Sequence, residues 1–119
     1  MSILRPAAQK QPSVTDIVAA VAKGQIILID VREADEVKAS GKARTALHIP
    51  LGILAVKADP AAPDCPKALT HNLPIAVYCA AGGRSGMAAQ VLKKLGYPQV
   101  INLGGLGDWV SAGGQIERV

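Results

Sequence analysis

The sequence predicts an α/β domain in which a parallel sheet carries helices on both faces. Three observations lead there. Apolar, β-branched runs alternate with amphipathic helical stretches along the chain, the order that builds parallel sheets. Half of the 119 residues are hydrophobic, yet there is no Phe, one Trp and two Tyr. The core must therefore be aliphatic, as a sheet covered on both sides requires. The length suits one domain whose core needs no staple. We read residues 1–12, which include Pro6 and Pro12, as an irregular lead-in, and 13–119 as a single domain.

The elements follow in order. Ser13-Val14-Thr15-Asp16 has the spacing of a capping box, with Ser13 as N-cap. Ile17, Val18, Val21 and Ala22 then recur at helical spacing until Gly24 stops them. Ile26-Ile27-Leu28-Ile29 is too short for a helix and rich in β-branched residues, so it reads as a central strand ending at Asp30. Val31 to Ala39 gives a loop and short helix closed by Ser40-Gly41, and Ala46 to Ile49 gives a strand stopped by Pro50. From Leu51 to Asn72 the pattern is weak: Leu51 to Ala58 can form a short helix, while Pro60, Pro63 and Pro66 favour loop.

Ile75 to Cys79 is a buried strand, Ala80 to Arg84 a glycine-containing loop, and Ser85 to Leu95 an amphipathic helix. Gln99 to Leu103 forms another buried strand, and Gly104-Gly105 leads into a short helix around Trp109 that Gly113-Gly114 breaks.

In parallel sheets the functional groups gather at the carboxyl ends of the strands. Asp30 and Cys79 both sit at such ends, so they belong to one edge. A thiol between a strand and a helix start meets unpaired backbone N–H groups and the positive end of the helix dipole. Arg84 adds a guanidinium nearby in sequence. All three favour thiolate. An ordinary cysteine, with pKa near ~8.5, is only about 3% thiolate at pH 7. A drop of about two pH units, worth roughly 2.7 kcal/mol, makes the thiolate the majority form. In the loop, Gly82 and Gly83 permit positive φ, so successive N–H groups can turn inward as an anion nest.

The remaining candidates take plainer readings. Asp30 can cap the turn after its strand and Arg32 can pair with Glu33 or Glu36 on the surface, both supporting the loop from behind. Cys65 reads as a lone loop cysteine rather than a resolving thiol. His48 packs at a strand end, His71 is solvated, and neither has a partner at metal-ligand spacing. Trp109 is a core or interface residue. Gly104-Gly105-Leu106-Gly107 lacks the full dinucleotide-binding spacing. The formal charge of +4 comes from scattered basic residues with almost no aromatics, which argues against a nucleic-acid surface. Two cysteines without framework spacing suit a reducing compartment. No apolar segment reaches membrane-spanning length and the start lacks a signal-peptide pattern. A cytoplasmic protein without membrane contact is the expectation.

Leu28-Ile29-Asp30-Val31-Arg32-Glu33, His48-Ile49-Pro50 and Val77 to Ser85 together resemble a single-domain rhodanese, as does the tail Leu103-Gly104-Gly105 with Trp109 and Gly113. The likeness runs over roughly residues 13 to 116. It implies a three-layer α/β/α rhodanese-like domain with a five-stranded parallel sheet ordered 1-5-4-2-3. It implies transfer of sulfane sulfur from thiosulfate or a related small anionic donor to cyanide, a small thiol or a protein thiol, through a persulfide on Cys79. Cys79 and Arg84 become the catalytic residues, and Ala80, Ala81, Gly82, Gly83, Arg84 and Ser85 the substrate-binding loop, with no cofactor and no metal. A non-catalytic sulfur-carrier or interaction module of the same fold is the alternative. The related phosphatase loops place five residues between cysteine and arginine where this chain has four. Where the family usually reads Gly-His-Ile-x-Gly-Ala this chain has Gly41-Lys42-Ala43-Arg44-Thr45-Ala46, so departures fall at Lys42, Ala43 and Thr45, at Val37 in place of a phenylalanine, and at Gln115 in place of a proline.

Overall fold

The computed structural model describes residues 12–69 and 72–119. The lead-in, Pro12 apart, and His71 lie outside these residues. Helix α1 (Val14–Ala22) opens as the sequence requires, with Ser13 Oγ accepting the Asp16 N–H at 3.1 Å. Strand β1 (Ile27–Asp30) is followed by α2 (Ala34–Ser40), a short β2 (Lys42–Ala43) and β3 (Leu47–His48). The weakly patterned stretch begins with α3 (Leu51–Lys57). Strand β4 (Ile75–Cys79), α4 (Gly83–Lys94), β5 (Val100–Gly105), α5 (Leu106–Ser111) and β6 (Ile116–Glu117) complete the chain.

The main sheet is parallel, in the order β3-β1-β4-β5. This reproduces four positions of the expected order. Among the described residues the sheet has four strands, where five are expected. In the expected order the fifth strand lies beside β5, and residues 1–11 are outside the described residues. A second feature was not expected: β2 and β6 pair antiparallel, Lys42 opposite Glu117 and Ala43 opposite Ile116. Two-residue strands carry no readable periodicity. Two departures from the family pattern put side chains on this ribbon: Lys42 Nζ reaches Glu117 Oε2 at 2.6 Å, and Gln115 Oε1 accepts from Arg44 Nη1 at 2.8 Å.

The period-two pleat of β4 sorts the core. Ile75, Val77 and Cys79 face one way and pack with Leu54 of α3 and Ala88, Ala89 and Leu92 of α4. Ala76 and Tyr78 face the other way and pack with Ile17 and Val21 of α1 and Trp109 of α5. Every residue of β4 is buried, as a strand covered on both faces must be. Trp109 is a core residue, and its indole N–H donates to the Gln115 carbonyl at 2.8 Å, so its one polar group is satisfied. The register sets Asp30 beside Tyr78 and Cys79 beside Gly105. Asp30 and Cys79 thus share the carboxyl edge, with Cys79 turned towards α4.

Candidate active site

Cys79 ends β4, and the chain must then reverse within three residues to begin α4. Gly82 permits this by adopting φ 106° as the residue before the helix, a conformation strained for any residue with a Cβ. The reversal aims amides at the sulfur. Gly82 N–H donates to Cys79 Sγ at 2.9 Å and Ser85 N–H at 3.4 Å, and Ser85 Oγ lies 3.5 Å away. Burial pushes the thiol pKa up, since Cys79 is only 1% exposed. Hydrogen bonds from the Ser85 hydroxyl and from the amides of Ser85, Gly82 and Ala81 outweigh burial and bring it below its ordinary value.

The loop rests on β5. A Cβ on Gly105 would collide with the Ala80 carbonyl and lie 3.4 Å from Ala81 Cα, while one on Gly82 would approach Gly104 Cα at 3.7 Å. Gly105 is what allows the loop to lie flat on the neighbouring strand, since a Cβ on Gly82 would make only ordinary contact there. Asn102, on β5, ties the same parts together: its Oδ1 accepts from the Ser85 hydroxyl at 2.6 Å and from Gly104 N–H at 3.0 Å. Nothing in the local pattern singles out Asn102, because its partner in the loop, Ser85, is distant along the chain. Ser85 has one hydroxyl proton, for which Asn102 Oδ1, the Gly82 and Gly104 carbonyls and the Cys79 sulfur, once it is a thiolate, are alternative acceptors.

Arg84 does not turn its fork into the loop. Its Nη1 and Nη2 engage Glu36 Oε1 and Oε2 on α2 at 2.6 and 2.9 Å. This pairing brings Glu36 down to about 2, chiefly through the Arg84 hydrogen bonds, and raises Arg84 further above its already high value. Glu36 was expected as a partner of Arg32. Its oxygen also accepts the Glu33 N–H at 2.9 Å, closing a capping box at the start of α2.

Arg32 is not on the surface. It is 3% exposed, and its guanidinium clasps Asp30, with Nη2 2.7 Å from Oδ2 and Nε 3.1 Å from both oxygens. The correction has a simple cause: Asp30 is fully buried, and a buried carboxylate needs a cation and hydrogen bonds more than a solvated Glu does. Asp30 Oδ1 also accepts the Arg32 N–H at 2.9 Å, which is the turn cap the sequence suggested. Tyr78 donates to Asp30 Oδ2 at 2.6 Å and accepts from Ala43 N–H at 2.9 Å. Arg32 reaches on to Ser40 Oγ and the Gly41 carbonyl, both at 2.7 Å, so the network fixes the end of α2 to the sheet. Asp30 and Arg32 thus stand behind the loop, on the Tyr78 side of β4.

Cys65 is half-buried beside Tyr97, whose hydroxyl lies 3.9 Å from its sulfur and donates to the Ala58 carbonyl at 2.7 Å. His48 is half-buried at the end of β3, with Nε2 2.7 Å from the Arg32 carbonyl oxygen. Among the described residues, no helix is long and apolar enough to cross a membrane.

Comparison with known proteins adds independent findings. The family described as rhodanese-like domain matches residues 13–112. The thiosulfate sulfurtransferase PspE of Escherichia coli is 36% identical over 80 residues, covering 67% of this chain and 70% of PspE. Among solved structures, the human single-domain sulfurtransferase TSTD1 is 25% identical with a TM-score of 0.73, covering 87% of this chain and 97% of that one. A Rhodopseudomonas palustris protein of unknown function, described as a possible tyrosine phosphatase, is 26% identical with a TM-score of 0.76 and 98% coverage of both chains. The chain spans 66% of the length of a Schizosaccharomyces pombe relative and 40% of YrkF of Bacillus subtilis, which bears a sulfur-carrier name.

Proposed function

The chain belongs to the rhodanese-like domain family, and on that premise we propose that it is a thiosulfate sulfurtransferase working through a persulfide on Cys79. The observation that carries this reading is the set of inward-facing donors on Cys79 Sγ at the strand–helix junction. The thiolate attacks the outer sulfur of thiosulfate. A Cys79 S–S bond forms, the donor's S–S bond breaks, and sulfite leaves with the electron pair. The acceptor, cyanide or a thiol (small or on a protein), then attacks the outer sulfur and returns Cys79 as thiolate. Amides of the loop stabilise the charge on the terminal sulfur, as an oxyanion hole stabilises oxygen. Asp30 and Arg32 hold the loop's supports in place. No step in this scheme calls on a metal or organic cofactor. A reducing compartment suits a working thiolate, and we place the protein in the cytoplasm, although the Schizosaccharomyces pombe relative is named as mitochondrial.

The scheme predicts ping-pong turnover of thiosulfate and cyanide to sulfite and thiocyanate. Cys79→Ser should lose activity by at least about 10³-fold, whereas Cys65→Ser should match the unaltered protein. A protein that binds sulfur without saturable turnover would be a carrier instead. The four-residue spacing between Cys79 and Arg84 argues against a phosphatase, so aryl phosphate hydrolysis should be absent.

A further inference from the structure

We propose that Glu36 determines specificity, because its hold on the Arg84 fork sets how strongly the Cys79 site favours doubly over singly charged sulfur donors. The inference rests on the sulfurtransferase reading and deepens it. Arg84 closes the loop that starts at Cys79, and both of its terminal nitrogens are taken up by Glu36. The pair sits at the rim, with the side chains 36% and 33% exposed. A solute approaching the loop therefore meets a guanidinium whose charge is already matched and whose two terminal nitrogens each already donate to Glu36.

Glu36 is not a loosely placed partner. The Glu33 N–H holds its Oε1 from the helix start, and Arg32 pins the helix end through Ser40 and Gly41. The other charges facing the pair are Glu33 and Cys79 on the Arg84 side and Arg32 on the Glu36 side. An anionic donor must either displace Glu36 from the fork or bind beside a fixed carboxylate. Coulomb repulsion from that carboxylate acts twice as strongly on a dianion as on a monoanion.

Glu36→Gln isolates the charge, since glutamine at this helix position still accepts the Glu33 N–H. Thiosulfate, a dianion, and benzenethiosulfonate, a monoanion, are the donors to compare. For thiosulfate, kcat/KM should rise about three- to tenfold, carried mainly by KM, and for benzenethiosulfonate about two- to threefold, with both gains shrinking as salt is added. A merely structural role would lower both donors alike and move the melting temperature.

A second readout does not need sulfur transfer: the ratio of Cys79 alkylation rates by iodoacetate, an anion, and iodoacetamide, which is neutral. That ratio should rise about two- to threefold in Glu36→Gln. In the unaltered protein it should change little with salt, a measurement that decides the matter even if the variant does not fold. Unchanged ratios in the variant, equal losses for both donors, or a steep salt dependence in the unaltered protein would each overturn the proposal. If the unaltered protein takes sulfur from neither donor, the sulfurtransferase reading fails, and the alkylation ratios alone decide the role of Glu36.

Discussion

At the scale of single residues, the chemistry turns on one competition at Cys79. Burial disfavours its thiolate, and the Ser85 hydroxyl and three amides favour it more. A thiol whose pKa is lowered becomes thiolate on the acid side of an ordinary cysteine. The alkylation rate of Cys79 should therefore reach its plateau at lower pH than that of a free thiol. Ser85→Ala removes one of the lowering hydrogen bonds, and such a bond to a charged group is worth about 1.5–3 kcal/mol. The midpoint of the pH–alkylation profile should move to higher pH, and the rate at neutral pH should fall roughly tenfold. An unmoved midpoint would show that the amides suffice without the hydroxyl. Cys79 and Ser85 were legible in the sequence because the cysteine, loop and helix are contiguous. Glu36 and Asn102 were not, because each meets the loop only through the tertiary fold.

At the scale of elements, the loop is shaped as much by its neighbour as by its own residues. The sequence shows why Gly82 is needed, since a three-residue reversal calls for positive φ. Gly104-Gly105 reads there as an approach to α5 and part of the tail that resembles the family, with nothing to link it to the loop, while the structure shows Ala80 and Ala81 lying against Gly105. Gly105→Ala should push the loop off β5 and tilt the amides away from Cys79. We expect a loss of about 1–3 kcal/mol in unfolding free energy from the overpacking and at least about tenfold in kcat. Full activity would mean that the loop can yield without losing its aim. The β2–β6 ribbon had no such signal, because its two-residue strands are set by the pairing of distant segments and not by local pattern.

For the molecule as a whole, the sheet carries two different sides to one edge. The α4 side holds the thiolate site, and the opposite side holds the Asp30–Arg32–Tyr78 network. The alternation of strands and helices made this architecture readable, and the aliphatic composition made both faces of the sheet readable as buried. The burial of Arg32 was not readable, since an arginine beside glutamates looks like a surface residue until the depth of Asp30 is known. Arg32→Ala leaves a fully buried carboxylate without its cation, a change that costs about 3–5 kcal/mol in comparable cases. Urea unfolding should show a loss of that size, and a change under about 1 kcal/mol would remove the network from the account.

The most direct test of the central claim is the mass of the intact protein after incubation with thiosulfate. The account predicts a gain of about 32 Da, one sulfur atom, discharged by cyanide and absent in Cys79→Ser. No gain, or a gain that survives in Cys79→Ser and disappears in Cys65→Ser, would contradict it.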